Sequence, residues 1–226
     1  MNPRILALLS AVVPFLAVQL SYLLSASTGY VDWCFPYIDS CTSISATGRK
    51  PPASYLFRAT MLPSAIIMMG FWWVSHAWLH ELRAARGLPQ LRANRWMLAL
   101  GVLACIGLIL YVTVLGERGE AWARQRRIGV VLFFSFTFLA QLLWLAQLRN
   151  IELPSVRPLL RLMWLLCISL LCTGVLTVLF EAWNEDWYDT IEDAFEWVLA
   201  LMLQLNFLLA WLVWRRLPWR LEVNSA

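Results

Sequence analysis

The sequence contains few charged residues and almost no lysine. Only 14% of its 226 residues are Asp, Glu, Lys or Arg, and the 18 basic residues include a single lysine, Lys50. The chain has two histidines, and its five cysteines form no Cys-x-x-Cys pair. So little charge in so apolar a chain excludes a disordered protein. The shortage of His and Cys ligands argues against a structural metal. We therefore expect neither a metal nor a cofactor.

Apolar residues, in contrast, are in large excess. The AVILMFWYC set makes up 61% of the chain, and 14 of these residues are Trp. A soluble fold of this size cannot hide so much apolar surface from water, whereas a bilayer can. Six charge-free windows are long enough to cross the hydrocarbon core, at residues 5–25, 59–78, 96–115, 128–148, 162–180 and 197–214. The sequence predicts an all-α polytopic membrane protein, with residues 1–226 forming a single six-transmembrane-helix bundle.

The first window permits two interpretations. Arg4, the apolar run and the small residues at 25–27 also resemble a cleavable signal peptide. The charge-free run is longer than a usual signal-peptide core, and Pro14 is tolerated in a spanning helix whose neighbours satisfy the freed carbonyl. We favour a retained helix.

Basic residues are distributed unevenly between the segments that join the windows. With the N-terminus in the cytoplasm, the inner segments hold 11 arginines and three acids, a net charge of +8. The outer segments then hold seven basic residues and 11 acids, a net charge of −4. Because basic loops face the cytoplasm, we expect both termini there. The basic face suits anionic lipid, and we expect no nucleic-acid partner.

Tryptophans are frequent near the ends of the windows. Indole rings prefer the headgroup level of a bilayer, so we expect these residues to be interfacial anchors. Trp72 and Trp73 lie deeper and point to different sides of their helix. The expected anchors are Trp78, Trp96, Trp164, Trp183, Trp187, Trp197, Trp211, Trp214 and Trp219.

The first outer segment, residues 26–58, is long and carries Cys34 and Cys41. In an oxidising compartment, two cysteines seven positions apart can close a small disulfide loop. We predict this disulfide. Inside the windows, Gln141, Gln204 and Asn206 are expected to hydrogen-bond between helices, and Gly101 and Gly107 to let helices approach closely.

The third outer segment, residues 181–196, has seven acids in 16 residues. Four of them follow at spacings of three and four, which predicts one face of an N-terminal extension of the sixth helix. These four are Asp189, Glu192, Asp193 and Glu196. Glu196 differs from the others because it precedes Trp197 at the membrane boundary, where desolvation destabilises its charge.

Three interpretations of this acidic cluster stay open. Runs of charge are usually solvated, so the first is an acidic cap facing water. The second is pairing with the basic second outer segment, which contains Arg124, Arg126 and Arg127. The third is a site for a divalent cation or a cationic headgroup, because carboxylate oxygens are hard ligands.

Short motifs along the chain resemble one family of six-helix membrane proteins. In the first outer segment they are Cys-Phe-Pro-Tyr-Ile-Asp-Ser at 34–40, Thr-Gly at 47–48 and Pro-Pro-Ala-Ser at 51–54. Later motifs are Arg95-Trp96 with Gly101 and Gly107, Gly129 with Phe133-Phe134, and Glu196-Trp197. Together they resemble the FRAG/DRAM/SFK family, which includes autophagy modulators, a GPI-lipid remodelling protein and the N-terminal part of the fungal protein CWH. Where the family has histidine before the fourth-helix glycine, this chain has Arg126.

The resemblance implies work on or with membrane lipids. Our first hypothesis is a non-enzymatic protein that binds or organises lipids or glycolipids at the outer leaflet, alone or with a membrane-protein partner or a second copy. Its candidate headgroup contacts are Asp39, Arg126, Arg127, Glu196 and Trp197. The alternatives are a membrane-embedded acyl- or headgroup-transferase with Asp39, Glu196 or the acidic cluster as general base, and a small-solute channel or transporter. The ratio of 17 Arg to one Lys favours a bacterial inner membrane over an endomembrane or eukaryotic plasma membrane.

Overall fold

The structure is a computed structural model that describes residues 3–149 and 151–217. Arg220, one of the inner arginines, and Trp219, one of the expected anchors, lie outside the described residues. Within this range every regular element is a helix. In chain order they are α1 (Pro3–Ser27), α2 (Pro36–Asp39), α3 (Ile44–Thr47), α4 (Ala53–Ala84), α5 (Arg92–Thr113), α6 (Glu120–Arg149), a 3-10 turn (Pro154–Val156), α7 (Arg157–Trp183), α8 (Glu185–Tyr188) and α9 (Glu192–Arg216).

Six of these helices are long and apolar enough to cross a membrane, namely α1, α4, α5, α6, α7 and α9. The predicted six-helix all-α membrane fold is therefore confirmed. The first window forms α1, which packs against α4 and α9 through small buried residues such as Ala7 and Ala11. The short helices α2, α3 and α8 all lie at one end of the bundle, here called the disulfide end.

Most of the long helices extend beyond the charge-free windows. Each window begins directly after a charged residue, whereas the helix also includes charged residues in its first or last turn. Helix α4, for example, runs from Ala53 to Ala84 around the predicted window 59–78. The third window, residues 96–115, extends past the C-terminal end of its helix. Helix α5 stops at Thr113, since Gly116 adopts a φ of +93° in the turn that leads to α6.

Glycines bring α5 and α6 into direct backbone contact. A Cβ atom at Gly129 would lie 2.7 Å from the carbonyl oxygen of Gly107, and one at Gly107 would lie 2.9 Å from that of Gly129. Gly101 leaves space for the ring of Trp72, which packs from α4. The predicted close approach at Gly101 and Gly107 is confirmed, and small residues are the usual means by which membrane helices pack closely.

Three expected anchors lie instead in the protein core. Trp78, Trp197 and Trp214 are at most 2% exposed, and Trp78 stacks on Trp144 with ring centroids 5.7 Å apart. The anchor prediction is wrong for these three, because position near a helix end sets depth in the membrane but not which face the side chain occupies. Trp183, which is 75% exposed, has the orientation expected of an anchor.

Candidate functional site: a lateral cleft beside α6

The first outer segment folds over the start of α9 as a compact unit, here called the clasp (residues 34–47). Its disulfide joins Cys34 to Cys41 with Cα atoms 6.6 Å apart, which confirms the predicted pair. The hydroxyl of Tyr22 on α1 donates to the carbonyl oxygen of Cys34 at 2.7 Å and accepts from its N–H at 2.8 Å. The clasp is therefore fixed to α1 as well as closed on itself.

Three hydrogen bonds attach the clasp to α9. The N–H of Ala194 donates to Ser40 Oγ at 3.2 Å, which satisfies one of the free amides at the helix N-terminus. Trp197 Nε1 donates to the carbonyl oxygen of Thr42 at 2.8 Å. The third bond runs from the N–H of Ile44 to Glu196 Oε2 at 3.2 Å. Loop residues separated from α9 by about 150 positions thus fix the orientation of the Glu196 carboxylate.

Beside the clasp, a cleft of about 750 Å³ opens at the disulfide end between α6 on one side and α7 and α9 on the other. Its walls are apolar in the deeper part, where Val130 and Phe134 of α6 face Leu199 of α9. Tyr111 of α5 also contributes to the lining. The cleft has a charged rim, which consists of Arg49, Arg126, Arg127, Glu192, Asp193 and Glu196.

The positive and the negative side chains of the rim lie on different walls of the cleft. The arginines come from α6 and from the segment after α3, whereas all three carboxylates belong to α9. Among the described residues no rim carboxylate lies within 4 Å of an arginine nitrogen. The cleft thus brings the acidic and basic outer segments together, as one interpretation of the sequence proposed, but it does not join them as direct ion pairs.

The two arginines predicted on α6 differ in their surroundings. Arg126 Nη1 donates to the carbonyl oxygens of Glu117 at 2.8 Å and Val114 at 3.5 Å, so this side chain stabilises the turn between α5 and α6. Arg127 is exposed and makes no hydrogen bond within the described part of the chain. Of these two arginines, Arg127 is therefore the one whose guanidinium is available to a ligand in the cleft.

Tyr111 and Glu196 lie where the cleft meets a narrower space. Tyr111 is only 5% exposed, and its hydroxyl has no hydrogen-bond partner among the described residues. This narrower space is an apolar crevice of about 40 Å³ that leads into the bundle. It is lined by Tyr111 and Glu196 and also by Val130 and Phe134. A buried hydroxyl without a partner is destabilising unless a ligand or water satisfies it, so Tyr111 is a candidate contact for a ligand in the cleft.

Three predicted site residues lie elsewhere. Asp39 is exposed, and its Oδ2 accepts from the N–H of Phe35 at 2.6 Å, which closes the α2 turn. Trp197 is 1% exposed and its ring lies between Tyr22 and Tyr37 in the clasp. Asp189 follows α8 and precedes α9, so it does not share a helix face with Glu192, Asp193 and Glu196. The structure brings together Arg126, Arg127, Glu192, Asp193 and Glu196.

Two residues of the cleft were not anticipated. Tyr111 follows Gly107 by one helical turn, so a tyrosine next to a close-approach glycine is the signal that could have found it. Arg49 carried no comparable signal in the sequence. As for metal chemistry, no group of three or more His, Cys, Asp or Glu side chains in the described residues is arranged to hold an ion.

Six helices that are long and apolar enough to span a membrane define a polytopic integral membrane protein. The chain belongs to the family of the Frag1/DRAM/Sfk1/Cwh43P N-terminal domain, whose family model matches residues 3–214. Comparison with curated proteins and with solved structures gives no match.

Proposed function

We propose that this protein binds a membrane lipid in the lateral cleft between α6, α7 and α9. The observation that carries the proposal is a cleft of about 750 Å³ whose rim is charged and whose deeper walls are apolar. Its size is that of a small-molecule site, and its two chemical zones match a polar headgroup and an acyl chain.

The depth of each zone along α6 supports this assignment. Phe134 follows Arg127 by seven residues, which is about 10 Å along a helix axis. Arginine at the headgroup level and phenylalanine at the level of the acyl chains is the order a bound phospholipid requires. With both termini in the cytoplasm, as the distribution of arginine predicts, the lipid belongs to the outer leaflet.

The wall formed by α7 is the one most open to the bilayer. Only 11% of the residues in its apolar window are buried, compared with 33% for α6 and 44% for each of the other four. A lipid can therefore enter the cleft sideways from the membrane. The lipid-related activities implied by the resemblance to the FRAG/DRAM/SFK family agree with this proposal.

Filling the cleft tests it. Ser135 lines the cleft and is exposed, so Ser135→Trp should occupy the space with little effect on the core. A diazirine-labelled phospholipid should crosslink to α6 and α9 of the wild-type protein in nanodiscs, and much less to Ser135→Trp. Leu139→Trp, one turn further along α6 and outside the cleft, is the matched control. Equal crosslinking of all three proteins would overturn the proposal.

One observation favours a second candidate, a lipid acyl- or headgroup-transferase. The Glu196 carboxylate, at the inner edge of the rim and oriented by the Ile44 amide, lines the narrow crevice together with the buried Tyr111 side chain. A carboxylate held beside a lipid ester is suited to general-base chemistry. Turnover of a radiolabelled phospholipid that disappears in Glu196→Gln and persists in Asp39→Asn would favour this enzyme. Asp39, another base expected from the sequence, is not among the residues that line the cleft.

A further inference from the structure

Building on the proposed lipid cleft, we infer that its preferred ligand is a zwitterionic phospholipid with a primary amine in the headgroup, of the phosphatidylethanolamine type. Three features of the cleft support this ligand: the separation of charge across the rim, the hydrogen-bonding capacity of each wall, and the buried Tyr111 hydroxyl.

The basic wall is the place for the phosphate. Arg127 has no hydrogen bond within the described chain, and Arg49 makes a single one, from Nη2 to Ser45 Oγ at 2.8 Å. A guanidinium has five N–H donors in a planar fork that suits phosphate oxygens. Arginines placed at the rim with unused donors can therefore bind the phosphate of a headgroup directly.

The acidic wall is the place for the amine. Glu192 and Asp193 occupy the first turn of α9 and Glu196 lies one turn deeper, so three carboxyl groups face the cleft within about 6 Å of helix length. Like charges at these spacings destabilise each other unless a cation is present. A primary ammonium offers three N–H donors to carboxylate oxygens, whereas a trimethylammonium offers none.

The charge balance of the rim argues against the simplest alternative ligand, an anionic lipid without an amine. The rim carries three arginines and three carboxylates, so it is formally neutral. An anionic lipid without an amine would gain the arginines but would place additional negative charge beside Glu192 and Asp193. A headgroup with one charge of each sign satisfies both walls at once.

Tyr111 provides an independent indication of a bound ester. Tyr111 lines the cleft, and its hydroxyl is buried and has no partner among the described residues. A donor at this depth can bind the carbonyl oxygen of a glycerol ester. The ligand is thus expected to meet the protein at three levels: phosphate and amine at the rim, and an ester at Tyr111.

Competition between three lipids with identical acyl chains tests the headgroup. Wild-type protein in nanodiscs, with the labelled lipid as tracer, is titrated with phosphatidylethanolamine, phosphatidylcholine or phosphatidylglycerol. We expect phosphatidylethanolamine to compete about fivefold better than phosphatidylcholine, the upper range for a partly exposed ion pair, and phosphatidylglycerol to compete least. Equal competition by the first two, or strongest competition by phosphatidylglycerol, would overturn the inference.

Variants of the two walls separate the contributions. The double substitution Glu192→Gln/Asp193→Asn should lower phosphatidylethanolamine to the level of phosphatidylcholine and improve phosphatidylglycerol. Its matched control is Glu185→Gln/Asp186→Asn, in the same acidic segment but outside the cleft. A double variant that retains the preference for the primary amine would contradict the assignment of the acidic wall.

Arg127→Gln should weaken all three phospholipids by a similar factor, while Arg124→Gln, on the same helix but outside the cleft lining, should not. Failure of the inference and failure of the proposed function give different results. If selectivity is wrong, the tracer still binds and Ser135→Trp still reduces crosslinking strongly. If lipid binding itself is wrong, the tracer does not label the cleft in any variant.

Discussion

Helix α6 has two flanks that are built in opposite ways. On one flank, Gly107 and Gly129 let the backbones of α5 and α6 touch. On the other flank, toward α7 and α9, large or charged side chains such as Arg127 and Phe134 line an open cleft. The closed flank provides packing, and the open flank provides a surface for a ligand.

The difference shows how one helix can be rigid and still border a binding site. Between α6 and α9 the main polar connection lies deep in the bundle, where Gln141 Nε2 donates to the carbonyl oxygen of Leu203 at 3.0 Å. Gln141 follows Arg127 by 14 residues, about 21 Å along the helix. The two helices are joined at that depth and separate toward the disulfide end, where the clasp supports α9.

The largest effect is expected from removing the support of the open flank. The double substitution Cys34→Ser/Cys41→Ser deletes the disulfide of the clasp and should destabilise the protein by about 2–4 kcal/mol, because the unfolded chain gains freedom. Thermal unfolding in a mild detergent under non-reducing conditions measures the loss. Cys172→Ser removes an exposed free cysteine and is the control. Equal unfolding midpoints of the two variants would show that the clasp does not support the fold.

A smaller effect is expected from breaking the closed flank. Gly129→Ala places a methyl group against the backbone of α5 and should destabilise the protein by about 1–3 kcal/mol. Gly174→Ala on α7 is the matched control, because a Cβ there meets no atom within 4 Å. Since alanine is the better helix former, the control should be neutral or slightly stabilising in the same unfolding assay. A similar loss in both variants would contradict the glycine contact.

The deep connection should contribute less again. Gln141→Leu removes the hydrogen bond to Leu203 and should destabilise the protein by about 1 kcal/mol, the usual range for a bond between membrane helices. In Gln147→Leu, the lost bond to the carbonyl oxygen of Leu143 lies within α6. Both glutamines are buried with an unpartnered Oε1 among the described residues, and Gln147 Nε2 also contacts Met97 Sδ of α5 at 3.9 Å. Thioether sulfur is a weak acceptor, so the difference between the variants compares the interhelical bond to a backbone carbonyl with a weaker interhelical contact. A greater loss in Gln147→Leu would be the opposite of this expectation.

The smallest effect concerns charge in the open cleft. Burial raises the pKa of the Tyr188 phenol above its ordinary value, the hydrogen bond with Thr177 lowers it, and the nearby charge of Glu192 raises it further. Glu192→Gln should therefore lower the pKa of Tyr188, whereas Glu185→Gln should have less effect. Absorbance titration at 295 nm, with Tyr188→Phe as the reference for subtraction, measures the shift. An unchanged or increased pKa in Glu192→Gln would place Glu192 away from Tyr188.

The same burial has a consequence for stability at alkaline pH. Because the folded-state pKa of Tyr188 lies above that of the unfolded chain, the unfolded state loses its proton first. The stabilising contribution is therefore present at neutral pH and decreases as the pH rises past the unfolded pKa. Tyr188→Phe should reduce this alkaline loss of stability.

Much of the fold could be read from the sequence because it depends on local composition. Charge-free windows placed all six spans, and the spacing of Cys34 and Cys41 identified the disulfide. Local patterns were less reliable at helix ends. Asp189 continues the three-and-four spacing of the acids, yet α9 begins only at Glu192, since a short turn follows α8.

The candidate site was predictable residue by residue but not as an arrangement. Arg127 and Glu196 were both selected from the sequence, one for the basic segment and one for its place beside Trp197. Their meeting in one cleft depends on helix packing across about 70 positions of chain. Tyr111, which provides the deep hydroxyl, resembled an ordinary residue of an apolar helix until its neighbours were known.

By itself, the sequence determined that this chain spans a membrane six times. The number and spacing of apolar residues decide whether a segment is long and apolar enough to cross a bilayer. The sequence also determined the disulfide and the uneven distribution of charge. Only the tertiary structure decided which flank of α6 closes and which stays open. That choice depends on glycines of two helices meeting at the same level, and contacts between distant residues are not encoded in any single stretch of sequence.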